Sequence, residues 1–490
     1  MLKRILSLIL AACMTLSAIG LTSCGKQQPI EEHKEDINQK IELKVDAYRT
    51  DLADSSGAMN SNTGIRNYLR SWAESKGVPY TVDRSGNVIM TVKASAYYRK
   101  ADPVVVVCPY DSSQSQQYMA PMAMALYLAK NNEQTGRLTV VFARENKHDF
   151  SGIRGLSSKY FTKDTRVICL NGSGKSQFSM NTGAQMAFHF TQKIRYTKPE
   201  YQKAYRISLS GLPGGQVNSD VESQINPAVR LRSLLTSLQS SSIGYDLADF
   251  RSGDGGYLLP KDASMTVVID QDKEQKFIDK MTALTESFNE DKSNAHPGAE
   301  FTFTKVKRPS RVIRPQDTNR FVSFVYTLLN GKYLQEEDGT MKAVNGITSV
   351  STDAHQIEIQ SVAYSLTMLS MNEIVKDEKA LSKLSDLTFR FGASIPAWSG
   401  DPESEFADQI SRAYRRYTGK SLTLSDSITS TSANFIRSKS SRAKVISITL
   451  NDDVLKTCTG TIIQYLTGLE HTELGLGLTK SDSEDQTENN

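Results

Sequence analysis

The stretch Val104-Val105-Val106-Val107-Cys108-Pro109-Tyr110-Asp111 decides the fold. Four β-branched residues in succession, with no polar residue alternating between them, are typical of a strand that is covered on both faces, as in a parallel sheet. Ligands of such sheets bind beyond the carboxyl ends of the strands. Asp111 therefore lies where a binding site would begin, whereas the ring of Pro109 has no atom that can bind a metal.

Strands and helices alternate around this stretch. Apolar runs at 88–92, 138–143 and 167–170 predict strands, and the pattern at 119–130 predicts a helix. Alternation of this kind indicates an α/β fold with a mostly parallel sheet.

From residue 187 the pattern changes to two-sided strands with helices between them, which is typical of antiparallel sheets in an α+β domain. The α/β pattern resumes at residue 399. We therefore expect a discontinuous α/β domain formed by 41–186 and 399–470, interrupted by an inserted α+β lid domain over 187–398.

The first residues have the order of a secretory leader. Lys3 and Arg4 precede an apolar run that ends in Leu-Thr-Ser-Cys at residues 21–24, so 1–23 is predicted to be a signal peptide. This ending resembles the lipobox of bacterial lipoproteins, which implies cleavage before Cys24 and its acylation. Two or more acyl chains anchor a protein stably. We expect a lipid-anchored protein on the extracytoplasmic face of a bacterial cell envelope, with membrane lipid as a partner; the alternative is an ordinary signal peptide with an incidental cysteine.

The segments that flank the domains are polar. Residues 24–40 are predicted to be a tether, and the acidic residues 471–490 a disordered tail. The formal net charge is only +4, and no basic stripe is interleaved with aromatic residues, which excludes nucleic acid as a partner. Cys108, Cys169 and Cys458 each lie in or beside an apolar segment, so we expect buried free thiols, with one disulfide pair as the open alternative.

Several short motifs occur in the order and spacing of one enzyme family. They are D-R-S-G-N-V-I at 83–89, G-L-P-G-G-Q at 211–216, N-P-A-V-R-L at 226–231, L-P-K-D-A at 259–263 and P-A-W at 396–398. On these motifs the chain resembles, over 41–470, the di-zinc aminoacyl-histidine dipeptidases, also called cytosol non-specific dipeptidases, which are related to carnosinase. The resemblance implies a zinc-peptidase-like sheet domain with a lid, and it allows a lid-mediated homodimer.

The resemblance also indicates where zinc ligands would lie. Pro109 corresponds to the first histidine, and Asp111 is the carboxylate that the family has two residues after it. Asn146 and Lys147 correspond to a Glu-Glu pair, and Asn171 corresponds to an aspartate. A shift of two residues would bring in Glu145. The last histidine would fall near 450–452, where the sequence has none.

The lid motifs have changed as well. Gln216 corresponds to a histidine that contacts substrate, and Asp254 corresponds to an asparagine in the same cleft. A lysine in place of a carboxylate leaves no charge balance for two divalent cations. We therefore expect no metal cofactor and a catalytically inactive homologue that acts in peptide or small-ligand binding, or in assembly.

Two alternatives stay open. The first is an active hydrolase whose zinc site is rebuilt from Asp111, Glu145 and His148; the second is a structural envelope protein that offers an interaction surface. His148 and Asp149 are more typical of a surface loop than of a ligand pair. Asp452 and Asp453 are more typical of a solvated loop than of a catalytic carboxylate pair.

Overall fold

The computed structural model describes residues 30–130, 135–146, 149–172, 174–337 and 339–468. The predicted signal peptide at 1–23, Cys24, Lys147, His148 and the predicted tail at 471–490 lie outside these residues. The chain divides into two compact units, residues 1–44 and 45–490. Among the described residues, no helix is both long and apolar enough to cross a membrane.

Two large sheets dominate the second unit. The strands of the first sheet come from both ends of the chain: β1 (Tyr80–Val82), β2 (Val88–Val92), β3 (Val104–Tyr110), β4 (Leu138–Arg144), β5 (Arg166–Asn171), β6 (Gln177–Ser179) and β22 (Lys444–Thr449). Their spatial order is β1-β2-β4-β3-β5-β22-β6. The central strands β4, β3, β5 and β22 are parallel, whereas β1, β2 and β6 pair antiparallel, so the sheet is parallel only in its middle.

The second sheet is antiparallel and takes its strands from the middle of the chain. These are β8 (Ala184–Lys193), β10 (Lys203–Ser210), β12 (Tyr245–Ser252), β14 (Ala263–Ile269), β15 (Glu300–Val306), β17 (Gly331–Gln335), β18 (Met341–Thr352), β19 (Gln356–Ser365) and β20 (Thr388–Ile395). Two-residue strands pair with one another outside the two large sheets: β7 (Asn181–Thr182) with β21 (Trp398–Ser399), β9 (Tyr196–Thr197) with β16 (Val312–Ile313), and β11 (Gly215–Gln216) with β13 (Leu258–Leu259). The expected class, α/β with an antiparallel second sheet, is confirmed, and we call 184–395 the lid region.

Helices cover the sheets. They are α1 (Ile30–Asp54), α2 (Ser56–Met59), α3 (Asn62–Lys76), α4 (Ser115–Lys130), α5 (Ser151–Gly155), α6 (Val217–Asp220), α7 (Pro227–Ser240), α8 (Glu274–Ala295), α9 (Pro315–Thr327), α10 (Met368–Leu384), α11 (Glu405–Thr418), α12 (Ala433–Lys439) and α13 (Leu455–Gly468). The chain is helical from Ile30 onward, which includes the later part of the segment predicted as a tether. Polarity alone did not reveal this helix.

Burial follows from the apolar pattern. All seven residues of β3 are buried, as its uninterrupted β-branched run predicts. In α3 the residues Ile65, Leu69 and Trp72 recur at helical spacing and are buried. The thiols of Cys108, Cys169 and Cys458 are free and buried, which confirms the expectation of core cysteines.

Candidate functional site

The positions singled out by the sequence lie along one edge of the first sheet. Asp111 follows β3, Glu145 follows β4, and Asn171 ends β5. The backbone N–H of Glu145 donates to the carbonyl of Tyr110 at 2.9 Å, and that of Leu450 donates to the carbonyl of Asn171 at 2.9 Å. Because the carboxyl ends of parallel strands meet at one edge, this is where ligands of such sheets bind.

Asn62, at the start of α3, fixes two of the loops at this edge. Its side-chain N–H donates to the carbonyl of Glu145 at 2.6 Å, and its side-chain oxygen accepts from the N–H of Ser112 at 2.8 Å. The loops after β3 and β4 are therefore tied to the same residue. Sequence reasoning did not identify Asn62.

The carboxylate of Asp111 accepts hydrogen bonds from its own loop. It is 1% exposed, and its Oδ1 accepts from the backbone N–H of Ser113 at 2.9 Å and from the Ser113 hydroxyl at 2.7 Å. Asp111 thereby caps the short helical turn Ser112–Gln114. Pro109, which replaces the expected histidine, is an interior residue of β3.

Glu145 is fully buried beside tyrosines. The Tyr118 hydroxyl donates to its Oε2 at 3.4 Å. Burial raises the pKa of the Tyr118 phenol well above its usual value, and the carboxylates of Glu145 and Asp111 raise it further. Burial also raises the pKa of Tyr364, a lid residue, with smaller contributions from Tyr257 and Glu145. Both phenols are therefore neutral at physiological pH, and of the two it is Tyr118 that donates to Glu145.

The two asparagines at predicted ligand positions differ in their surroundings. Asn146 is exposed, and its backbone N–H donates to Oδ1 of Asp149 at 3.0 Å. The same oxygen accepts from the N–H of Ser151, the first residue of α5, at 2.9 Å. Asn171 is buried and carries an amide where a carboxylate would be needed.

Asp452 does not join the edge as a ligand. The guanidinium of Arg49 holds its carboxylate at two points, Nε to Oδ1 at 2.6 Å and Nη2 to Oδ2 at 2.9 Å. The expectation of a solvated loop is correct in that Asp452 is exposed, but the loop is also anchored to α1 by this ion pair.

These residues do not fit a two-zinc centre. Such a centre needs imidazole and carboxylate ligands around each ion. Proline and asparagine stand at the positions that the resemblance assigns to ligands, Asp111 already caps a turn, and Asp452 is paired with arginine. Over the part of the chain that the structure describes, no group of three or more His, Cys, Asp or Glu side chains could hold a metal ion.

The lid region contacts this edge directly. Gln216 is buried, and its Nε2 donates to Oε1 of Gln114 at 3.4 Å. Two residues later, the Asn218 amide donates to the hydroxyl of Thr429 at 2.5 Å. Both contacts join the lid region to loops of the first sheet.

A pocket of about 270 Å³ opens beside these contacts. Ser113, the partner of Asp111, lines it from the first sheet, and Asp254, Lys261 and Asp262 line it from the lid region. The sequence had identified Asp254. Ser113, Lys261 and Asp262 were missed as site residues, although Lys261 and Asp262 lie in the L-P-K-D-A motif that carries the resemblance.

Comparison with known proteins agrees with the resemblance. No family model matches the chain. It is 20% identical over 397 residues to the cytosol non-specific dipeptidase of Escherichia coli (strain K12), and this match covers 73% of the chain and 80% of that protein. Its fold is similar to the crystal structure of aminoacylhistidine dipeptidase from Vibrio alginolyticus, with a TM-score of 0.55, 16% identity, and coverage of 84% of this chain and 95% of that one.

Proposed function

We propose that this chain, a homologue of the cytosol non-specific dipeptidases, has lost peptide hydrolysis and binds a small peptide-like ligand on the extracytoplasmic face of a membrane. The pocket between Ser113 and the lid residues Asp254, Lys261 and Asp262 is the observation that carries the binding role. Membrane attachment rests on the sequence around Cys24.

The proposed loss of catalysis rests on the residues at the carboxyl edge of the first sheet. A bound zinc ion lowers the pKa of water to about 7, which supplies the nucleophile in metal-dependent peptidases. The side chain of Pro109 cannot bind a metal ion, and the neutral amide of Asn171 is a weaker zinc ligand than a carboxylate. The chain retains Asp111 and Glu145, but one caps a loop and the other is buried beside Tyr118.

The charges in the pocket suit a zwitterion. Lys261 can bind a carboxylate, while Asp254 and Asp262 can bind an ammonium group. The volume of about 270 Å³ lies close to the lower end of the roughly 300–1,000 Å³ range of ligand pockets, which favours a ligand the size of a dipeptide.

Calorimetric titration of the purified protein with a set of dipeptides, beginning with alanyl-histidine, tests this function. We expect saturable binding without hydrolysis, weakened about tenfold or more by Lys261→Met, which removes one charged contact. Lys276→Met, at an exposed lysine of α8, is the matched control and should bind as the wild type does. Failure of every dipeptide to bind, or equal binding by the Lys261→Met variant, would refute the proposal.

A further inference from the structure

A second, larger cavity lies in the lid region and is lined by positive charge. Its volume is about 520 Å³, and we call it the basic cavity. Its charged or titratable lining residues are Lys193, Arg195, Arg314, Asp317, Arg320 and His355. They come from three separate segments of the chain: the end of β8, the first turns of α9, and the turn before β19.

Two of its arginines are held side by side by the backbone. Strands β9 and β16 pair antiparallel, with Tyr196 opposite Ile313, and the N–H of Arg314 donates to the carbonyl of Arg195 at 2.9 Å. This places Arg195 directly opposite Arg314. Like charges in directly opposite positions destabilise a strand pair, so the arrangement is costly without an anion.

The surrounding residues leave these cations available. Among the described residues, no carboxylate pairs with the side chain of Lys193, Arg195 or Arg314, and the Arg314 guanidinium donates to the side-chain oxygen of Gln316 at 2.9 Å. Asp317 is buried, and its Oδ2 accepts from the backbone N–H of Arg195 at 3.0 Å, which fixes the floor of the cavity.

The other acidic groups nearby are already engaged. Asp386 pairs with Arg320 at 3.2 Å. Asp353 accepts from the backbone N–H groups of His355 and Gln356 at 2.6 and 2.8 Å. The uncompensated charge of the basic cavity is therefore concentrated on Lys193, Arg195 and Arg314.

We propose that the basic cavity binds the phosphate group of a phosphomonoester or phosphodiester. Guanidinium groups match the oxygen geometry of phosphate, and cations from separate segments suit a tetrahedral anion better than a planar carboxylate, for which one arginine suffices. The cavity is larger than a phosphate ion alone, so the ligand carries an organic group as well. The phosphate belongs either to a soluble ester or to a lipid headgroup.

Titration of the purified full chain distinguishes these sources. The probes are inorganic phosphate, glycerol 1-phosphate and dihexanoyl phosphatidylglycerol below its micelle concentration, each compared with chloride and succinate at equal ionic strength. We expect saturable binding of at least one organic phosphate, weakened about tenfold or more by Arg195→Ala, because a charge-assisted hydrogen bond is lost.

Arg84→Ala is the control, since Arg84 is an exposed arginine in the β1–β2 turn, outside the lid region. Preference for glycerol 1-phosphate assigns a soluble ester, and preference for phosphatidylglycerol assigns a lipid headgroup. Three results would overturn the proposal. Succinate could bind as tightly as the phosphates, the Arg195→Ala and Arg84→Ala variants could lose affinity equally, or no phosphate could bind more tightly than chloride. The outcome of these phosphate titrations does not depend on whether a dipeptide binds near Ser113.

Discussion

The side-chain N–H of Asn87 donates to the backbone carbonyl of Gly152 at 3.0 Å. Asn87 is fully buried; its other amide N–H donates to Oδ2 of Asp83 at 2.7 Å, and its oxygen accepts from the N–H of Arg144 at 2.9 Å. One side chain therefore joins the β1–β2 turn, the end of β4 and the start of α5. The motif at 83–89 therefore has a structural role, because Asn87 holds this edge of the sheet together.

Asn87→Ala should destabilise the protein strongly. The substitution removes three hydrogen bonds and leaves buried backbone groups of Gly152 and Arg144 without that partner, which should lower the free energy of unfolding by about 2–4 kcal/mol. Urea denaturation measures this change. Asn60→Ala, at an exposed asparagine, should change it by less than about 0.5 kcal/mol. Equal effects of the two substitutions would contradict the structural role.

Glu378 should make stability depend on pH. This α10 residue is 4% exposed, its Oε1 accepts from the Asn345 amide at 2.8 Å, and burial, with a smaller contribution from Asp377, raises its pKa to about 8. Because the folded pKa exceeds the unfolded one, the stabilising contribution is complete below pH 4.5 and is lost as the pH rises to about 8. One pKa unit corresponds to about 1.4 kcal/mol, so a shift from 4.5 to about 8 corresponds to a loss of about 5 kcal/mol across this window.

The variant Glu378→Gln isolates this effect. An uncharged amide of the same shape should keep the free energy of unfolding flat where the wild type declines, so the variant gains relative stability between pH 5 and pH 8. Glu373→Gln, a partly exposed residue on the same helix, should follow the wild-type profile. Parallel curves for Glu378→Gln and wild type would show that Glu378 does not titrate in this range.

Cys24 is predicted to carry the membrane anchor. The variant Cys24→Ala should move the protein from the membrane fraction to the soluble fraction, because the thiol that receives the acyl chain is lost. Cys13→Ala removes another cysteine of the leader and should leave the protein in the membrane fraction. Retention of the Cys24→Ala variant at the wild-type level would contradict the lipoprotein interpretation.

The sequence predicted the elements whose pattern reflects burial. The run 104–107 indicated a strand covered on both faces, and the structure places β3 between β4 and β5 with every residue buried. The first-sheet positions of the site were also predictable, because parallel strands end at a common edge.

Other features could not be predicted from the local sequence. Asn345-Gly346 has the form of a hairpin turn, yet it lies inside β18. The structure explains both residues: Asn345 bonds the buried Glu378, and a Cβ at Gly346 would lie 2.8 Å from a methyl group of Val217. The basic cavity was missed for a different reason, since Arg195 and Arg314 are 119 positions apart and only the pairing of β9 with β16 brings them together.

The zinc content of the purified protein, measured by mass spectrometry together with dipeptide turnover, tests the central claim most directly. Cytosol non-specific dipeptidase from Escherichia coli serves as the positive control under the same conditions. We predict that this chain retains no stoichiometric zinc and hydrolyses no dipeptide, with or without added metal, because Pro109 and Asn171 stand where ligands are needed. Two equivalents of zinc and turnover abolished by a chelator would contradict the account and favour a site rebuilt from Asp111, Glu145 and His148.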